Sequence, residues 1–213
     1  MLAVPVIPEY ERLPFAPGAA PFRVKGVAYR GHGDYVERYV AGGMQAQLDA
    51  VVEPRLRAFL GQTFLASSWY DVFPLVAAGY VCGRITGRAL PDFLRTRARY
   101  QAEQDMQGVY RMAMTVASPE LLAEKLPKML QQYFDFGVAS VVDAGPGARD
   151  ASVEGIPTLL SPWLGPILQT FVLTALEYNG TRKAQAKLLP FRQTGTAHGI
   201  DVGTLRLFVT WPR

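Results

Sequence analysis

Cysteine, histidine and lysine are scarce in this chain of 213 residues, and each scarcity closes off a class of function. The single cysteine, Cys82, cannot form an intrachain disulfide, which fits a reducing, cytoplasmic setting or a chain that needs no cross-links. It sits in the apolar run YVCGRI and reads as a small buried hydrophobe. Two histidines, His32 and His198, with that one cysteine fall short of a structural zinc set, so neither metal nor other cofactor is expected. Five lysines and 17 arginines face 18 acids, a net charge of +4 that does not demand a polyanionic partner. The densest basic stretch, Arg84, Arg88, Arg95, Arg97 and Arg99, reads as a solvated helix surface, and no nucleic-acid fold signature accompanies it.

Catalytic signatures are also missing. There is no GxSxG, HExxH, CxxC, Walker or dinucleotide-glycine pattern. Ser67, Ser68 and Asp71 have no histidine near them in sequence. Glu103 and Asp105, at i and i+2, do not face one another on a helix. Glu120 and Glu124 share a face, but their place in the first turns of a helix accounts for them through the dipole. No catalytic residue is expected.

Long apolar runs are limited to one. Positions 155–176 carry no charge and are long enough to span a bilayer, yet Pro157, Pro162 and Pro166 interrupt the first half. A buried helix is the expectation, not a membrane span. The first eight residues are uncharged but broken by Pro5 and Pro8, without a basic lead, so a secretory signal is not expected.

What is present is 49% hydrophobic residues, enough for one sizeable core. Five prolines in residues 1–21 predict an irregular arm that packs on the domain or on a partner. Residues 22–213 read as a single α+β domain, mostly helical over 22–136 and sheet plus helix over 137–213. The segment FRVKGVAYRG reads as a short strand or extended lead-in, with Asp34 capping a helix through Leu48. Four further helices follow between Glu53 and Gln132. Ser118-Pro119-Glu120 marks the start of one of them, and Pro127 should kink or break it near Lys125 or Leu126. After Gly137, VASVVDA and ARDASVE flank GPG as a hairpin. A helix is expected over 161–178, ended by Asn179-Gly180, and then strands at 182–189 and 204–211. The order strand, strand, helix, strand, strand predicts a four-stranded antiparallel sheet with a packed helix.

Three segments place aromatics and charges inside apolar stretches: SSWYDVFPL at 67–75, AEQDMQGVYR at 102–111 and LQQYFDFG at 130–137. They resemble the WYP, AExDLxGxYR and YYDxG patterns of a myxobacterial paralogous family, over a span from Arg23 to Trp211. That family is distantly similar to the ligand-binding fold of 4-vinyl-reductase sensor domains, haem-nitric-oxide-binding domains and TRAPP vesicle-tethering subunits. The resemblance implies the same α+β architecture, with apolar ligands held among the helices. It also implies where haem would need a histidine, inside the chain on a helix, with a tyrosine-serine-arginine signature further on. Neither occurs between 90 and 140. Relatives carry cysteines in the last hairpin, where this chain has FRQTGTAHGIDVGTL and none.

The residues themselves leave two uses open. Trp69, Tyr70, Phe73 and Tyr80 on one predicted helix, with Tyr133, Phe134 and Phe136 near the end of another, could fill a core or wall a cavity. Glu103, Gln107 and Arg111 share a helical face, so they could pin that helix, or Tyr110 and Arg111 could meet a polar head group. The reading is a cytoplasmic, non-catalytic sensory domain that binds a small apolar or amphipathic ligand between helices and forms a homodimer, its state read by a signalling partner. Trp69, Tyr70, Phe73, Tyr110, Arg111, Tyr133 and Phe134 are its candidate ligand-binding residues. A protein-interaction scaffold with a solid core is the alternative, and an enzyme is the third.

Overall fold

The computed structural model describes residues 7–108 and 118–212, apart from the side chains of 126–131. The chain divides into two compact units, 1–93 and 94–213, with the boundary inside a helix.

The first unit opens on a strand β1 (Arg23–Lys25), followed by helices α1 (Gly26–Tyr39), α2 (Gly43–Ala50) and α3 (Pro54–Leu60), strand β2 (Trp69–Asp71) and helix α4 (Phe73–Thr86). The helix expected from Asp34 to Leu48 begins eight residues earlier and is two helices. Their break falls at Gly42 and Gly43, both at positive φ, where a continuing helix is lost. A second correction concerns the aromatic segment. Trp69 and Tyr70 do not lie on a helix with Phe73. They form β2, which pairs antiparallel with β1 through Val24 opposite Tyr70. Asp71 then ends the strand, accepting from the Phe73 N–H at 2.9 Å at the entry to α4.

The proline-rich arm docks on this unit. Glu11 is 2% exposed, and its carboxylate accepts from the N–H groups of Val52 (2.9 Å) and Glu53 (2.8 Å). Tyr10 stacks on Tyr80 with ring centroids 5.3 Å apart, and Phe15 packs against Phe22 and Phe73. The Gly18 N–H donates to Asp71 at 3.0 Å. Proline supplies stiffness here, and these anchors supply the position.

In the second unit, helix α5 (Leu90–Gln107, from Leu94 onward) and helix α6 (Pro119–Tyr133) precede a five-stranded antiparallel sheet. Its strands are β3 (Val138–Asp143), β4 (Ala148–Pro157), β5 (Gln185–Leu188), β6 (Arg192–Ala197) and β7 (Ile200–Thr210), with helix α7 (Ser161–Tyr178) between β4 and β5. The order is β3-β4-β7-β5, and β6 pairs with β7 as well. The sheet thus has one strand more than expected. Strand β6, RQTGTA, is polar and exposed along nearly its whole length, so no apolar alternation announces it.

Helix α6 starts as expected, with Ser118 Oγ accepting from the Leu121 N–H at 3.2 Å. It runs unbroken past position 127, contrary to the expected break. One missing donor costs less than abandoning the turns that bury Leu122 and Ala123 and lie along β3. Helix α7 matches its expected bounds. Among the described residues it is, with the turn before it (158–178), the one helix long and apolar enough to cross a membrane, with 56% of its apolar window buried inside the protein. Its Val172, Ala175 and Leu176 join Leu207, Val209, Trp211, Met106 and Leu122 in one core.

Candidate ligand cavity

Strand alternation decides which side chains of the sheet face α7. In register, Ala139 lies opposite Val153, Val141 opposite Ala151, and Ala151 and Val153 opposite Leu207 and Leu205. These residues make one face of the sheet. At Ala139 and Ala151 that face is a methyl deep, beneath Leu168, Phe171 and Val172 of α7 and Ala123 of α6. Large side chains above and small ones below leave a cavity of about 50 Å³, which Arg149 and Val209 also line.

A smaller cavity of about 10 Å³ shares Ala139, Val153 and Leu168 with the first and is closed by Phe134, Phe136, Ile156 and Leu164. Both Val153 and Ile156 line it, although three positions separate them and strict alternation would send them to opposite faces. The register of β4 on β7 shifts between these two residues, around Gly155 at φ 73°, and this bulge turns Ile156 back inward. The two hollows lie side by side along β4, the smaller one next to an aromatic cluster in which Phe134 meets Phe136 and Trp163 edge-on.

Of the expected binding residues, Phe134 lines this cleft. Tyr133, its neighbour in sequence, donates its hydroxyl to Asp105, which also accepts from Gln101 Nε2 at 2.9 Å. Burial pushes the Asp105 carboxyl above its usual range, against the lowering effect of these donors and of Arg97. Trp69, Tyr70 and Phe73 belong to the first unit and line neither cavity. Trp69 is 36% exposed, with the Lys25 ammonium 5.3 Å from its ring centre. Tyr70 packs edge-on against Tyr29 and Phe64 and accepts from the Leu65 N–H, and Phe73 is buried with Phe15 and Phe22. Tyr110 and Arg111 lie outside the described residues, so the Glu103, Gln107, Arg111 face is described in part. Glu103 accepts from Arg99 at 2.9 Å, and Gln107 donates to the Tyr178 hydroxyl at 3.0 Å.

The lining that sequence reasoning missed is Ala139, Ala151, Val153, Leu168, Phe171 and Arg149. Its one legible signal was the pair of alternating runs around GPG, which gave the strands but not the depth of their side chains.

Neither histidine lines this cleft. His32 is 3% exposed, with Nε2 2.7 Å from Gln47 Oε1, an atom that also accepts from the Cys82 thiol at 3.0 Å. His198 occupies a left-handed position in the β6–β7 turn, at φ 50°. Among the described residues no group of three His, Cys, Asp or Glu could hold a metal ion.

No protein-family model and no curated protein matches the sequence, so the likeness to the myxobacterial family rests on the three segments alone. Solved structures do match. An Fe(II) unliganded H-NOX protein from K. algicida is similar at a TM-score of 0.61 and 12% identity, covering 89% of this chain and 97% of that one. An H-NOX protein from S. oneidensis in the Fe(II) ligation state gives 0.59 and 10%, covering 89% and 96%. A Cs H-NOX mutant carrying 4-cyano-L-phenylalanine gives 0.63 and 7%, covering 89% and 97%. The chain has the mixed α+β fold of H-NOX domains. At these identities the likeness is one of fold.

Proposed function

We propose that this chain is a non-catalytic, ligand-binding domain of the sensory kind, holding a small apolar or amphipathic molecule between the sheet and helix α7. The observation that carries the reading is the cavity of about 50 Å³ lined by Ala139, Ala151, Leu168, Phe171 and Val172, set beside an otherwise packed core. Interiors pack to crystal density, so a hollow lined by apolar side chains is a place where a small apolar guest gains contacts. The fold adds support, since two of the similar structures are described by their haem.

Haem itself does not fit the described residues. The lining of the sheet cleft has no histidine, cysteine, methionine or tyrosine to ligate iron, and the cavity is far smaller than a porphyrin. Helix α6, directly before the sheet, has no histidine in its sequence. His32 is engaged with Gln47 inside the first unit. The ligand class proposed is accordingly an organic molecule of a few carbon atoms.

Native mass spectrometry and solvent extraction of protein purified from its host test the reading. A co-purifying small molecule, or benzene or xenon shifting the methyl resonances of Leu168 and Val172, is the expected result. Protein that carries nothing, with those methyl signals unmoved by either probe, would overturn it. Light scattering with and without ligand tests the homodimer that belongs to the same proposal.

A scaffold role has its own observation. In the first unit Tyr29 stacks on Phe64 at 4.1 Å and meets Phe59 and Tyr70 edge-on, so these aromatics fill their own interior. A first unit presenting its surface to a partner protein is compatible with a ligand held in the second.

A further inference from the structure

Apart from the cleft beneath α7, the second unit carries an open groove of about 620 Å³ where α7 ends and the chain turns toward β5. That volume falls within the range of roughly 300–1,000 Å³ common among small-molecule sites. Its lining is mixed. Leu173 and Ala184 are half-buried and pack against the core, while Arg99, Glu177, Arg182 and Lys183 bring charge.

Two left-handed residues shape the turn. Gly180, at φ 85°, lets the Thr181 N–H donate to Leu176 O at 2.9 Å and its own N–H donate to Glu177 O at 3.0 Å. With the Asn179 N–H on Ala175 O at 3.1 Å, these bonds meet the last carbonyls of α7, the groups that would otherwise oppose an anion. Lys183 follows at φ 59°, a position that glycine would hold at less cost but without a charge.

Charge along the groove is unevenly matched. Arg99 donates through Nε to Glu103 and through Nη2 to Glu177, each at 2.9 Å, so it is already held between two carboxylates. Arg182 and Lys183 are exposed and make no hydrogen bond or ion pair among the described residues. Three cations against two carboxylates leave one positive charge in excess. A single anionic group balances it, and a second would meet Glu177. Leu173 and Ala184 give a short apolar body a surface on which to leave water.

We infer that this groove is a second binding site, for a small organic monoanion of the carboxylate class, independent of the molecule proposed beneath α7. The carboxylate takes the donors of Arg182 and Lys183, and the apolar body lies on Leu173 and Ala184.

The test titrates hexanoate, hexanamide, hexylammonium and inorganic phosphate into the full chain at pH 7 and low salt, read by calorimetry and by the methyl shifts of Leu173 and Leu168. Hexanoate should bind about tenfold or more tightly than hexanamide or phosphate, move Leu173 while Leu168 stays in place, and weaken as sodium chloride is added. Hexylammonium should not bind. Both cations are exposed, so Arg182→Gln and Lys183→Gly should fold, and the glycine should keep or raise the melting temperature because it suits a left-handed position. Together they should weaken hexanoate by about tenfold or more and leave benzene and xenon unchanged at Leu168. Equal affinity for hexanoate and hexanamide, tighter binding of phosphate or hexylammonium, a shift at Leu168 with none at Leu173, or hexanoate affinity unchanged in the double variant would overturn the inference. The probes and the reporting methyls differ from those of the cavity beneath α7, so that reading stands or falls separately.

Discussion

Filling the cleft is the sharpest test of the site, because the sign of the stability change separates a real void from a packed seam. Ala151 lies on β4 opposite Val141 and Leu207 and lines the larger cavity, so Ala151→Ile directs three added carbons into it. Burying them gives about 0.8 kcal/mol each, or about 2.4 kcal/mol in all, and fixing the new side chain costs about 0.5–1 kcal/mol. The net is a stabilisation of about 1.5–2 kcal/mol, and a β-branched residue also suits a strand. In a packed interior the same substitution would overfill and cost about 1–3 kcal/mol. The two outcomes differ in sign and by more than 2 kcal/mol, well outside the error of a denaturant titration. Urea unfolding followed by near-ultraviolet circular dichroism reads the change, with the slope checked for separate unfolding of the two units. Benzene and xenon should lose affinity in parallel. A clear destabilisation, or stabilisation with ligand binding intact, would refute the placement of the site.

Three other perturbations address the surrounding framework. Glu11→Ala leaves the N–H groups of Val52 and Glu53 without their acceptor and should cost about 2 kcal/mol, with limited proteolysis cutting ahead of Phe22; an arm as protected as before would show that the aromatic contacts alone hold it. Asp105 has its carboxyl raised by burial, so its contribution to stability is full below the ordinary carboxylate pKa and is lost as pH rises through the elevated value; Asp105→Asn should remove that fall from a stability profile taken across the acid range, and an unchanged profile would contradict it. Gly26→Ala would bring a methyl to 2.1 Å from the Leu65 carbonyl oxygen and 2.8 Å from the Tyr70 ring, so a loss of about 3 kcal/mol or more is expected in thermal or denaturant unfolding, and a neutral result would mean the β1–β2 ribbon yields freely.

What could be read from the sequence depended on the size of the signal each element carries. Helix α7 was legible to the residue, because Trp163, Leu168, Phe171 and Leu176 write a wide apolar face and Asn179-Gly180 ends it. The β3–β4 hairpin was legible for the same reason in the period of two. Strand β6 was not, since RQTGTA faces water and is placed by its pairing with β7. Strand β2 was read as helix because WYD adjoins a true helix and its pairing with β1 is long-range, which no local period encodes.

The candidate site carries the same lesson further. Aromatic residues draw the eye as pocket walls, yet bulk is what fills space: Tyr70 and Phe73 are packed among other rings, and Phe134 reaches the cleft only at its end. A cavity is made where side chains fall short, at Ala139 and Ala151 beneath Leu168 and Phe171, and an alanine in a strand looks in sequence like any other small residue. Depth becomes visible only when register sets those two methyls side by side and a bulge at Gly155 swings Ile156 back over the end of the row. Arg149 follows the same logic, being one arginine among 17 until the sheet folds it against Trp211 and beside an apolar cleft. The chemistry of this site is therefore set by pairing register, and substitutions that shift the register of β4 should alter ligand preference more than those that change any single aromatic residue.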